Sequence, residues 1–311
     1  MAQRTIGRRQ LLRIGAGAAV ALGAALAAGG GWRAWQLRRA ADLVAAPVRP
    51  PTGALSVYHL GHSLVGRDMP AMLAQLAPAG HSYASQLGWG ASLRDHYDPD
   101  IPVNGFAEEN DHDRFAPARE TLADGAFEAV VFTEMVELRD AIRYHDSAAT
   151  LARWAQLARA ARGDVRLYLY ETWHHTDDPQ GWAARIAADY QTLWLDRVLL
   201  PAVARSGEAM HVIPGGQCLA SVAARMEDPA PLFARTPEGT VDTIHLGDLG
   251  NYLIALVHFA VLYQRSPVGL PPALNRADGT AADPPDAELA LMMQQTVWDT
   301  VRALPQTGIA A

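Results

Sequence analysis

A serine, an aspartate and a histidine stand in this chain in types and spacing that suit acyl transfer. Ser63 lies in VYHLGHSLVGRD (57–68), where an apolar run ending at Leu60 passes through Gly61 and His62 into a helical pattern. A strand that turns sharply into a helix holds such a hydroxyl out at the edge of a sheet. The hydroxyl is a weak nucleophile until a base takes its proton, and the base works best when a carboxylate holds it. VDTIHLGDLGNYL (241–253) offers both: Asp242 and His245 sit two residues apart on a short loop, ahead of an apolar helix through Tyr252 and Leu256. The carboxylate can hold one ring nitrogen from the same loop while the other points toward Ser63. The plainer roles here are a helix N-cap for Ser63, a surface histidine for His245 and a turn residue for Asp242.

The elements that must position these residues follow from the pattern of apolar runs. Strands are expected at 55–60, 82–88, 128–133, 165–170 and 210–214, and EAVVFT and VRLYLY are continuous apolar runs of the kind buried on both faces. Helices are expected at 69–77, 146–161, 181–206, 216–226, 248–264 and 286–303, while 94–126 is polar and resists assignment. Strands alternating with helices imply a parallel sheet covered on both faces, with ligands bound outside the carboxyl ends of the strands. Those ends deliver Gly61-His62-Ser63, Gly88-Trp89-Gly90, Thr133-Glu134 and Glu171-Thr172-Trp173-His174-His175.

GHSL at 61–64 resembles the GDSL block of the SGNH (GDSL-type) hydrolases, and DTIH at 242–245 resembles their closing D-x-x-H block. The order serine, aspartate, histidine agrees, and the resemblance spans roughly 54–268. It implies an α/β, flavodoxin-like three-layer sandwich with a central parallel sheet of about five strands. It also implies an esterase, lipase, carbohydrate acetylesterase or acyltransferase, with Ser63, Asp242 and His245 as catalytic residues and no cofactor. A glycine N–H after the second strand belongs to the family's oxyanion hole. Gly90 in GWGASLRDH fills that place, with Gly88 second, beside the N–H of Ser63 itself. The family's oxyanion asparagine, usually in G-x-N-D, has no counterpart in FTEMVEL (132–138), and Asn110-Asp111 follows no strand. Thr133, or a neutral Glu134, is then expected to donate instead, and His62 stands where the family has aspartate. One such donor is commonly worth about 2.7–4 kcal/mol in the transition state, so its loss slows acyl transfer without abolishing it.

Glu134, Glu171, Trp89, Trp173 and His62 are the expected substrate-binding residues, the acids for sugar hydroxyls and the indoles for stacking; salt bridges and core packing are their plainer roles. His174-His175 with Asp177-Asp178 invites a metal reading, but neighbouring loop residues point apart, so no metal is assigned. Cys218, the sole cysteine, reads as a buried apolar residue and excludes an intrachain disulfide.

The formal charge of −7 makes nucleic acid a poor partner. Arg8-Arg9 ahead of the uncharged, Gly/Ala-rich IGAGAAVALGAALAAGG resembles a Tat export signal, which implies the Tat machinery as a partner and a periplasmic or extracytoplasmic location. An uncleaved inner-membrane anchor is the alternative, with Trp32, Trp35, Arg38 and Arg39 at the interface. Removing residues 1–28 takes away four arginines and no acid, leaving −11. The expected organisation is 1–30 signal or anchor, 31–53 linker, Pro-rich over 44–53, and 54–311 one SGNH-like domain. The function expected is an exported serine esterase that removes an acetyl or other acyl group from a glycan or small ester. Its alternatives are an envelope polysaccharide O-acyltransferase and a non-catalytic glycan-binding relative.

Overall fold

A computed structural model describes residues 31–310, so the twin-arginine segment lies outside the described residues. Five strands form one parallel sheet: β1 (Ser56–His62), β2 (Ser82–Gly88), β3 (Ala129–Thr133), β4 (Arg166–Glu171) and β5 (His211–Pro214). Their order is β2-β1-β3-β4-β5, the flavodoxin-like arrangement. The chain is an α/β three-layer sandwich. Strand order reverses between β1 and β3, and Ser63 follows the carboxyl end of β1. The crevice where such sheets bind ligands is therefore open at Ser63.

Alternation along each strand feeds two cores. Val57, Val131, Tyr168 and Tyr170 face one side, where α2 (Asp68–Leu76), α10 (Gly215–Ala223), α11 (Asp248–Tyr263) and α12 (Ala287–Ala303) close over them. Tyr58, Leu60, Phe132 and Leu169 face the other, covered by α1 (31–44), α5 (Ala118–Ala123), α7 (Ser147–Ala161) and α9 (Leu200–Ser206), whereas Ile186 of α8 (Trp182–Asp189) packs in the first core. Between α8 and α9 the helix continues through a ten-residue π-helical stretch, Tyr190–Leu199. The unassigned stretch 94–126 holds α3 (Leu93–Tyr97), α4 (Phe106–Asn110) and α5, and α6 (Leu138–Tyr144) precedes α7. No helix among the described residues is long and apolar enough to cross a membrane.

Segment 31–53 rests on this body. Ala40 and Val44 of α1 are buried. The Val48 N–H donates to Gly308 O (2.7 Å), and His211 Nε2 donates to Ala46 O (2.9 Å).

Asp242 and His245 do not lie on a short loop. They belong to β7 (Val241–Leu246), paired antiparallel with β6 (Phe233–Arg235) in a separate two-stranded sheet. A turn closed by Thr236 N–H to Thr240 O (2.8 Å) reverses the chain between them. Only Ile244 of this strand is buried, so no apolar run marks it and local sequence reads it as loop.

Candidate active site

Ser63, Asp242 and His245 come together from chain positions almost 180 residues apart. His245 Nε2 lies 3.0 Å from Ser63 Oγ, and His245 Nδ1 lies 3.1 Å from Asp242 Oδ2. With a proton on Nδ1, the ring donates to Asp242 and accepts from the serine hydroxyl. Asp242 Oδ1 also accepts the N–H groups of Ile244 (2.7 Å) and His245 (2.8 Å). Partial burial pushes the Asp242 carboxyl up, but these backbone donors and the His245 ring outweigh it and hold it below the usual range. The carboxylate stays charged and aimed.

Two supports fix the two halves of this arrangement. Trp173, buried after β4, donates Nε1–H to Ile244 O at 2.8 Å, and Thr176 N–H donates to Thr243 O at 2.7 Å. Together they hold β7 against the carboxyl edge of the main sheet. On the other side His62 shapes the turn that carries Ser63. Its Nε2 donates to Glu134 O (2.8 Å), and its Nδ1 accepts the Leu64 N–H (3.3 Å). Burial drives its pKa down to about 4, so the ring is neutral near pH 7. It accepts the Leu64 N–H, two residues on, as a carboxylate would. Below it, His96 Nε2 donates to Gly61 O at 2.7 Å.

A pocket of about 700 Å³ opens at Ser63 and His245. Trp89 and Gly90 form one wall, Met135, Val136 and Glu137 another, and Ile244 and His175 lie beside β7. Of the two glycine candidates, Gly90 lies on the open wall with space where a Cβ would stand, at φ +59°. Gly88 is packed instead: a Cβ there would fall 2.2 Å from Val103 Cγ1.

Five expected binding or oxyanion residues lie away from this pocket. Thr133 is buried against Gly61, whose missing side chain makes room for it, and its hydroxyl does not line the pocket. Glu134 is fully buried and accepts from Ser147 Oγ (2.5 Å), Met135 N–H (2.9 Å) and Leu93 N–H (3.2 Å). Burial raises its pKa, with those donors opposing, and its work is to join β3 to α3 and α7. Glu171 is buried against α10, bound by the N–H and the side-chain amide of Gln217 (both 3.1 Å), and burial lifts its pKa to about 8. Trp173 and His62 are the supports just described. Each strand end has an inward and an outward face, and only the outward one reaches the crevice. His59, on the opposite face of β1 from His62, packs on His258 with ring centroids 5.7 Å apart.

Among the described residues, no asparagine or glutamine side chain lines this pocket. After β3 the pocket wall carries Met135 and Val136, and Asn110 is tied to both backbone groups of Leu87 (2.9 and 2.8 Å). The His-Asp run after β4 disperses: His174 pairs with Asp189 (3.2 Å), Asp178 with Arg185 (2.7 Å), and His175 turns to Thr243 Oγ1 (2.9 Å). Among the described residues no group of three or more His, Cys, Asp or Glu side chains is placed to hold a metal ion. Cys218 is buried in the core.

Sequence reasoning missed Glu109, which accepts Trp89 Nε1–H at 2.9 Å, and Glu137, gripped by both terminal nitrogens of Arg185 (3.2 Å each). Glu109 belongs to a segment without a periodic signal. Glu137 follows β3 by four residues, and only the fold turns it to the pocket.

The chain matches no family profile and no curated protein. Among solved structures it is similar to a DUF4886 family protein from Bacteroides uniformis, with a TM-score of 0.51 and 16% identity over 80% of this chain and 95% of that one. This likeness concerns the fold. A gut microbial diltiazem-metabolizing enzyme superposes more distantly, with a TM-score of 0.34 and 14% identity over 70% of this chain and 49% of that one.

Proposed function

We propose that the protein is a serine ester hydrolase of SGNH type. The single observation that carries this reading is the relay from Asp242 Oδ2 through His245 to Ser63 Oγ, with steps of 3.1 and 3.0 Å, at the mouth of a pocket. Ser63 Oγ attacks the ester carbonyl carbon while His245 Nε2 takes its proton. Asp242 balances the imidazolium, and the N–H groups of Gly90 and Ser63 face the developing oxyanion. The carbon–oxygen bond to the alcohol breaks, and the alcohol leaves with the proton from His245. Water, deprotonated by the same imidazole, then releases the acid and frees Ser63.

The substrate in this reading is a small ester or an O-acetylated glycan. The twin arginine at residues 8–9 supports export, and with it a substrate of the cell envelope.

The test is hydrolysis of an activated aryl acetate by the purified full chain beside Ser63→Ala, with labelling by a serine-directed phosphonate. Turnover and labelling that vanish in the variant support the reading. Equal background rates and no labelling refute it.

A further inference from the structure

We infer that the pocket recognises an ester whose alcohol part carries a positive charge, held by the open face of Trp89 and the carboxylate of Glu109. The inference rests on Ser63 being the acyl acceptor.

Trp89 is a built platform. Its indole lies on the Gly105 backbone so closely that a Cβ on Gly105 would fall 2.1 Å from Trp89 Cδ2. Its own N–H donates to Asn104 O (2.7 Å), and its ring edge donates to Glu109. An indole anchored at its edge and backed by a glycine keeps one orientation. The residue nevertheless stays 53% exposed, beside Ser63 and Gly90. A large, fixed, solvent-facing aromatic surface next to a nucleophile has a ligand to hold.

The surrounding groups say which ligand. An indole whose N–H is bound by a carboxylate has an enriched π face, and π faces attract cations. The side chains on the pocket wall offer mainly acceptors: Glu109 and Glu137 carry charge there, and no arginine, asparagine or glutamine contributes to the wall. Both Glu137 oxygens are matched by Arg185. Among the described residues Glu109 forms no ion pair, and Arg67 in the adjoining cleft gives its donors to the carbonyls of Glu108 and Asp111. Neutral sugar rings are gripped by mixed donors and acceptors, whereas acceptors around an aromatic face suit a ligand that only donates or only carries positive charge. An ester of an amino alcohol or of an amino sugar has that chemistry.

The test compares acetylthiocholine with its uncharged isostere, S-(3,3-dimethylbutyl) thioacetate, on the full chain and on Glu109→Gln and Trp89→Phe. The charged ester should be favoured in kcat/KM by about tenfold or more, mainly through KM, and each variant should bring the ratio toward one. Equal rates in the unaltered protein, or a ratio untouched by Glu109→Gln, would overturn the inference. If neither ester turns over, tetramethylammonium is titrated against tryptophan fluorescence. A saturable change that is lost or much weakened in Glu109→Gln, which keeps the Trp89 indole as reporter, upholds the cation site while the hydrolase reading falls; no change, or a change untouched by Glu109→Gln, overturns the site as well.

Discussion

Trp173 and Ile244 are joined by one hydrogen bond, indole N–H to carbonyl at 2.8 Å, and through it the core holds the strand that carries Asp242 and His245. The residue has no face on the pocket, so its influence on chemistry passes through position. Trp173→Phe keeps most of the buried ring and removes the donor. It should cost about 1–3 kcal/mol in stability, because the Ile244 carbonyl loses a buried partner. It should lower kcat more than it changes KM in an ester assay, with urea unfolding as the stability measure.

Asp242→Asn leaves the shape of the relay and removes its charge. The amide oxygen can still accept the Ile244 and His245 N–H groups, so the fold should change little. The amide can no longer hold the proton on Nδ1 with a charge behind it. The expected loss in kcat is about 10³- to 10⁴-fold at nearly constant melting temperature. A loss under tenfold would show that Asp242 is dispensable to the chemistry.

Stability should fall in mild acid. His62, His96 and His258 are buried, and desolvation pushes each down to about 4. In the unfolded chain the same rings take a proton near pH 6.5. Between these limits the unfolded state binds more protons, so stability declines as pH falls from 6.5 toward 4 and levels off below. Each ring contributes about 3 kcal/mol to that loss. Denaturant midpoints at pH 7, 5.5 and 4.5 measure it, and a flat profile would contradict the burial of these imidazoles.

Gly88→Ala and Gly90→Ala should separate packing from backbone conformation. At Gly88 the new methyl meets Val103 Cγ1 and, at 3.1 Å, both Ala91 Cβ and Asn104 O, so something must move. About 1–3 kcal/mol of stability should be lost there. At Gly90 the methyl enters open space, and only the left-handed φ is strained, at about 1 kcal/mol. Chemical denaturation of the two variants decides between them.

The sheet was legible because β3 and β4 are buried on both faces and nearly continuous in apolar residues, while β2 shows a period-2 alternation. VYHL, AVVF and RLYLY announce themselves by composition, and the helices between them by period. The stretch 94–126 was not legible, since α3, α4 and α5 are five or six residues long and too short to show a period. β7 was hidden by composition instead, since VDTIHL carries three polar residues and buries only Ile244.

The sequence by itself singled out Ser63, Asp242 and His245 as a set, because their residue types and local spacing suit one chemistry. That they meet was decided by the fold: β7 lies outside the parallel sheet, and Trp173 and Thr176 hold it at the carboxyl edge where Ser63 stands. Only the tertiary structure decided which neighbours share that edge with them. Trp89, Trp173 and Glu134 follow strands and Glu171 ends one, yet only Trp89 of the four lines the pocket. The reason is geometric. Past the last residue of a strand the chain can turn its next side chain outward to the crevice or inward against a helix. The choice depends on what the opposing helix offers, such as the Gln217 amides of α10 for Glu171 or the Ser147 hydroxyl of α7 for Glu134. Those partners lie 13 to 46 residues further along the chain, beyond the reach of any local pattern.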